Sequence, residues 1–274
     1  MTSKRPPFDS NRAWTGATAA IRANREVVFA LAGVFFLLPS LVLALLFPQP
    51  QPVPGADEAA MMAQAAAYYG KALPVALPMA VLQAAGTLGL LTLLTDRARP
   101  TVGEAIRAGF GALLPYIASQ VILGMGLGLV FMLVVGVIAV AAGSQPLAMA
   151  AGLAVALPIF VRFALTAPVV AIEKWRNPLS ALRRSWQLTA GNTWRVLLFF
   201  ALILLASGIV MAVVMGLAGI VLVLVLPAPA AVMAAAIISS TLGAGVVLVL
   251  VACLAATHAQ LAGGSPDTIA EEFD

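Results

Sequence analysis

Charge is what this sequence has least of. Only 9% of its 274 residues are Asp, Glu, Lys or Arg, against 62% that are apolar. A water-soluble domain carries about a quarter charged residues, because its surface must face water. That scarcity excludes an ordinary soluble globule, and lipid must cover most of the surface. Histidine and cysteine are nearly missing as well, with one of each, His258 and Cys253. A lone thiol closes no disulfide within the chain and reads as a small packing residue in its apolar run. A single histidine without other His or Cys ligands nearby predicts no metal site. Paired acids, Ser/His sets and an oriented partner for a general base are all missing, so no catalytic constellation and no cofactor are expected. Nor is any stretch long and polar enough to fold as a separate soluble domain.

What the chain does have is long apolar runs. They cover 27–47, 73–95, 115–142, 147–172, 195–226 and 231–257. Each reaches the roughly 20 residues that cross about 30 Å of hydrocarbon, which predicts an all-α integral membrane fold with six transmembrane helices. The third and fifth exceed that length and are expected to tilt or to project past the bilayer. Gly143–Pro146 and Pro227–Ala230 read as tight turns between antiparallel helices. The first run follows a polar leader, is longer than a signal-peptide core and meets no small-residue cleavage site, so it is expected to stay as a span. Three regions result: a leader over 1–26 with an interfacial helix, a membrane domain over 27–257 and an acidic tail over 258–274.

The basic residues give the orientation. All except Lys71 and Arg162 fall in the leader, the second connection (Arg97, Arg99, Arg107) and the fourth (Lys174, Arg176, Arg183, Arg184, with Arg195 at its edge). An excess of Lys and Arg on one side marks the cytoplasm. The four tryptophans, Trp14, Trp175, Trp186 and Trp194, lie in the same segments, where indole rings settle at the headgroup level. A multi-pass protein of a bacterial inner (plasma) membrane, with both termini cytoplasmic, is expected. The one sizeable outer connection, Pro48–Lys71, is Ala-rich and predicts a short helix lying on the outer surface.

Three cytoplasmic stretches share the pattern Ala, aliphatic, Arg, any residue, then small or polar. They begin at Ala20, Ala105 and Ala181, and each precedes a span. This spacing suggests three parallel units, each an interfacial helix plus two spans, related by an axis along the membrane normal. In the third copy Leu179, Leu182 and Trp186 fall on one helical face and Ser180, Arg183 and Gln187 on the other. That layout predicts an interfacial helix with its apolar face in the acyl boundary and Arg among the headgroups.

The stretch from Arg162 through Pro168 to Glu173, continued by Asn177-Pro178, Ala181-Leu182-Arg183-Arg184-Ser185-Trp186, Gly191 and Trp194-Arg195, resembles the bacterial membrane-domain family named after glycerophosphoryl diester phosphodiesterases. The resemblance implies an Arg within a span, then a Pro and an acidic residue at the membrane edge, then an amphipathic helix leading into the next span. In relatives that justify the name a soluble phosphodiesterase barrel is fused to this part; nothing in the present sequence reads as that barrel. The resemblance implies a stand-alone membrane domain.

Arg162 is the most informative single residue. A charge near the bilayer centre costs at least about 2.5–3.5 kcal/mol on insertion scales, so Arg162 is expected to face the bundle interior. Acceptors available there are Gln83, Gln120, Ser239, Ser240 and carbonyls freed near Pro158. It reads either as a structural residue holding helices together or as a contact for an anion or lipid headgroup. Glu173, beside Lys174, Arg176 and Arg183, reads as an interfacial ion pair. With Arg183, Arg184, Trp186, Trp194 and Arg195 it makes up a candidate interfacial site. The glycines of GMGLG (Gly124, Gly126, Gly128) fit close helix packing and lack the preceding strand that a nucleotide loop needs. The basic segments fit topology and attraction to anionic lipid, not nucleic acid. The expected partners are the bilayer, anionic phospholipid headgroups and a membrane protein. The expected role is a non-enzymatic scaffold or accessory protein; the other reading is a small transporter or lipid-handling permease with Arg162 lining an internal cavity.

Overall fold

A computed structural model describes residues 7–48, 50, 55, 57–95 and 101–263. Arg97 and Arg99, Lys4 and Arg5, most of the Pro-rich stretch after Phe47, and residues 264–274 of the expected acidic tail lie outside them. The described residues are helical and contain no strand. In chain order the helices are α1 (Ser10–Ala23), α2 (Arg25–Ala32), a π-helical turn (Gly33–Leu37) and α3 (Leu38–Leu46). There follow α4 (Glu58–Thr95), α5 (Val102–Ala142), α6 (Gln145–Arg162), α7 (Thr166–Ala171), α8 (Pro178–Thr189), α9 (Thr193–Val225) and α10 (Ala228–Leu261).

Among the described residues, six stretches are long and apolar enough to cross a membrane: Arg25–Leu46, Glu58–Thr95, Val102–Ala142, Gln145–Ala171, Thr193–Val225 and Ala228–Leu261. The protein is a multi-pass helical membrane protein, as the runs of apolar residues indicate.

Local signals account for the helix ends. Asp9 caps α1, its carboxylate accepting from the backbone N–H of Asn11 at 2.8 Å and of Arg12 at 3.2 Å. Thr101 and Glu104 form a reciprocal capping box at the start of α5. Gly143 ends α5 in the left-handed conformation, φ 61°, which glycine adopts without a Cβ penalty. Asn177 caps α8 ahead of Pro178 at its first position, where a missing N–H costs nothing.

Two connections differ from the sequence reading. The outer segment is not a separate surface helix, because Glu58–Thr95 is one helix of 38 residues. Its Ala-rich start is strongly helix-forming, and neither Pro74 nor Pro78 breaks it. At 1.5 Å per residue it is about 57 Å long, well beyond a hydrocarbon core of about 30 Å. In the second connection, the Ala105–Gly109 copy is likewise not a free-standing interfacial helix but part of the first turns of α5.

The chain divides into two compact units. One comprises 1–24, 88–204 and 249–274, the other 25–87 and 205–248. In the second, the Tyr68 hydroxyl donates to the Phe47 carbonyl at 3.2 Å and the Gln83 amide donates to Ser40 Oγ at 3.3 Å. Gly86 lies hard against Phe35, leaving no room for a Cβ.

The first unit has a core of Phe8, Ala13, Ala17, Val161, Val196, Phe199, Ile203, Ala252 and Cys253. The leader is therefore part of the fold. Phe8 stacks edge-on against Phe199, its N–H donates to Asn192 Oδ1 at 2.9 Å, and α1 buries Ala13 and Ala17. Helices α5 and α6 pack together where Gly152 approaches Phe131 and Val135; a Cβ there would lie 2.7 Å from Val135 Cγ2. Close packing occurs at Gly152, not at GMGLG, since Gly124, Gly126 and Gly128 point into open space.

Candidate functional site

The fourth apolar run is interrupted. Helix α6 ends at Arg162 and α7 begins at Thr166. Pro168 lacks the N–H that would bond the Ala164 carbonyl, and its ring crowds that carbonyl. The backbone tightens here: the N–H groups of Phe163, Ala164 and Thr166 bond the carbonyls of Phe160, Val161 and Phe163. Because Thr166 N–H reaches Phe163, the Arg162 carbonyl loses its helical donor. Helix α8 supplies two replacements, Ser185 Oγ at 2.9 Å and Thr189 Oγ1 at 3.2 Å.

This bond explains which face of α8 turns inward. Ala181, Leu182, Ser185, Leu188 and Thr189 are buried, while Leu179 is 62% exposed and Trp186 37%. The inward stripe is a row of small and hydroxylated residues at i, i+4 and i+8. Of the three residues expected in the acyl boundary, Leu179 and Trp186 look outward, whereas Leu182 is buried against protein.

The Arg162 side chain takes neither of the glutamines expected to receive it. Its Nε donates to Thr193 Oγ1 at 3.1 Å, and its guanidinium carbon lies 4.3 Å from the centroid of the Trp186 ring, a cation–π contact. Gln83 is engaged with Ser40, Gln120 is exposed, and Ser239 donates to the Ala236 carbonyl at 3.1 Å.

Glu173 sits beyond the end of α7 and collects three donors. Arg184 Nε donates to Oε2 at 2.9 Å and to Oε1 at 3.2 Å, Trp175 Nε1 to Oε2 at 2.9 Å, and His258 Nε2 to Oε1 at 3.0 Å. The expected ion pair exists, but its cation is Arg184, and the further partner comes from α10. Partial burial pushes the Glu173 carboxyl up; the bonds and charges of Arg184 and His258 outweigh it and hold the group below the ordinary carboxylate range. The chain reverses at Lys174, which adopts the left-handed conformation, φ 58°.

A second freed carbonyl lies nearby. Pro115, inside α5, cannot bond the Gly111 carbonyl, and the Arg176 guanidinium donates to it. Arg183, Trp194 and Arg195 make no such links and are exposed, Trp194 by 65%.

Sequence reasoning missed four members of this arrangement: Ser185, Thr189, Thr193 and His258. The first two carried a signal, since Ala181, Ser185 and Thr189 form a small-residue stripe at helical spacing. His258 carried none beyond being the sole histidine.

These features define a membrane-embedded helical domain in which a broken span is held by an amphipathic helix. In agreement, residues 141–262 match the family described as the membrane domain of glycerophosphoryl diester phosphodiesterase. The match contains Arg162, Glu173, Ser185, Trp186, Thr189 and His258, while Gly111 and Pro115 of α5 lie outside it. It is a match to the membrane domain, not to a catalytic one. No curated protein and no solved structure matches the chain.

The three Ala-aliphatic-Arg segments are placed differently. Ala105 and Gly109 in α5, like Ala181 and Ser185 in α8, are buried four residues apart. Helix α1 instead buries Ala13 and Ala17, ahead of its copy of the pattern.

Proposed function

We propose that the protein is a non-enzymatic scaffold or accessory protein of a bacterial inner membrane, with both termini cytoplasmic, that contacts anionic phospholipid through α8 and the start of α9. The observation that carries this reading is the outward face of α8. Leu179, Arg183 and Trp186 stand at i, i+4 and i+7, all exposed, and the neighbouring Trp194 and Arg195 are exposed too. An aliphatic side chain, indoles and guanidinium groups in one row suit the boundary between acyl chains and phosphates. The one-sided distribution of basic residues supports the orientation. The engagement of Arg162 by Thr193 and Trp186 supports a structural role for it and speaks against the permease reading.

The test is fluorescence quenching in proteoliposomes, using a variant that keeps Trp194 as its only tryptophan. Brominated phosphatidylglycerol is expected to quench it more than brominated phosphatidylcholine, with the preference reduced by Arg183→Gln plus Arg195→Gln. Equal quenching by both lipids would reject the anionic contact. Labelling engineered cysteines at 71 and 183 from the same side of the membrane would reject the orientation.

A further inference from the structure

Arg162 is held in place but not satisfied. A guanidinium carries five N–H donors. Its Nε–H goes to Thr193 Oγ1 at 3.1 Å, and the Trp186 ring lies against it, 4.3 Å from the guanidinium carbon to the ring centroid. Among the described residues nothing accepts from the N–H groups of Nη1 and Nη2, and no carboxylate pairs with the charge. Glu173, the acidic residue closest to it in sequence, is committed to Arg184, Trp175 and His258. The residue is half-buried, so its open donors reach the edge of the protein. Thr193 fixes their depth. It opens the fifth span, and its next two neighbours, Trp194 and Arg195, are exposed. An exposed Arg is costly in hydrocarbon, and indoles settle among the headgroups, so this level is the headgroup layer. The guanidinium of Arg162 lies in that layer too, although its backbone belongs to the fourth span, Gln145–Ala171.

We infer that Arg162 holds the phosphate of one phospholipid of the cytoplasmic leaflet, with Nη1 and Nη2 donating to its two non-bridging oxygens. A planar guanidinium donates along two parallel lines that match the edge of a phosphate. A phosphodiester also brings the negative charge that the protein does not supply. The bonds to Thr193 and Trp186 hold the fork still, so little side-chain freedom is lost when the phosphate arrives. The lipid tails have a surface to follow: Trp194, Leu198 and Leu202 stand at i, i+4 and i+8 on α9, all exposed, and descend from the headgroup layer into the bilayer. This assignment rests on the cytoplasmic headgroup contact proposed above and adds to it the group that takes the phosphate itself. Arg162 serves the phosphate common to all phospholipids, whereas Arg183 and Arg195 favour those with net negative charge.

The experiment is native mass spectrometry of the delipidated full-length protein in detergent. It is titrated separately with phosphatidylglycerol, phosphatidylethanolamine, a phosphate-free diglucosyl diacylglycerol and inorganic phosphate. Wild type is expected to retain one molecule of either phospholipid, and neither the glycolipid nor inorganic phosphate. Arg162→Gln is expected to bind both phospholipids about tenfold more weakly, the loss of charge-assisted bonds to one phosphate. Arg162→Lys, which keeps the charge without the fork, is expected to fall between the two. Arg183→Gln plus Arg195→Gln is expected to lower the preference for phosphatidylglycerol while one phosphatidylethanolamine stays bound. An unchanged preference in that variant would reject the surface contact alone, so the two sites are read separately. Wild-type retention of the glycolipid equal to that of the phospholipids, a result that needs no variant, would overturn the inference, as would unchanged phospholipid binding by Arg162→Gln. Binding of inorganic phosphate as tight as that of the phospholipids would overturn the lipid as occupant and assign the guanidinium to a free anion.

Discussion

Glu173 and His258, 85 residues apart in the chain, meet at 3.0 Å between Oε1 and Nε2. The contact fastens the end of the broken fourth span to the end of α10, and Arg184 on the same carboxylate adds α8. One carboxylate thus joins three helices that the sequence places far apart.

The first prediction concerns pH. The folded protein holds the Glu173 carboxyl below its ordinary value. Its contribution to stability is therefore complete above the unfolded pKa, about 4.3 for Glu, and is lost as pH falls through the folded value. Thermal unfolding in detergent should show Glu173→Gln melting below wild type at pH 7. The gap should narrow as pH falls below about 4.3 and close once pH is below the folded value. A gap of constant size across that range would show that the carboxylate charge contributes nothing.

A second prediction concerns the freed carbonyl of Arg162. Replacing both hydroxyl donors, Ser185→Ala with Thr189→Val, leaves a carbonyl without a partner, which costs about 1–3 kcal/mol. Ser185→Ala alone should cost less, because Thr189 remains at 3.2 Å. Denaturant titration of the single and double variants measures the difference.

Arg162→Leu removes the bond to Thr193 and the contact with Trp186, and should lower stability by about 1–2 kcal/mol. All six spans should remain. Cysteine-accessibility mapping of each connection tests the topology, and loss of a span in this variant would show that Arg162 is needed for insertion.

Glycine positions separate close packing from open surface. Gly152→Leu should drive a side chain into Phe131 and Val135 and destabilise by about 1–3 kcal/mol. Gly126→Leu, with open space around it, should leave the melting temperature unchanged.

Much of the fold was legible in the sequence. Span number depends on additive properties, apolar length and scarcity of charge, and these need no knowledge of what packs where. Caps at Asp9, Thr101, Gly143 and Asn177 are equally local. The extent of α4 was harder to read, because a polar, Ala-rich segment beside a membrane can form a helix that lies flat or one that continues the span. The protein-facing side of α8 was not legible for a related reason. Hydrophobicity singles out Leu179, Leu182 and Trp186 but does not show that Ser185 and Thr189 turn inward to serve a carbonyl released 23 residues earlier.

By itself the sequence determined solvation: too few charges for water, and six apolar lengths matched to a bilayer. Tertiary structure alone decided that Arg162 rests on Trp186, that Glu173 meets His258, and that α1 lies along α10. Helical periodicity fixes which residues share a face, but a face acquires its partner only when distant helices pack and satisfy one another's polar groups.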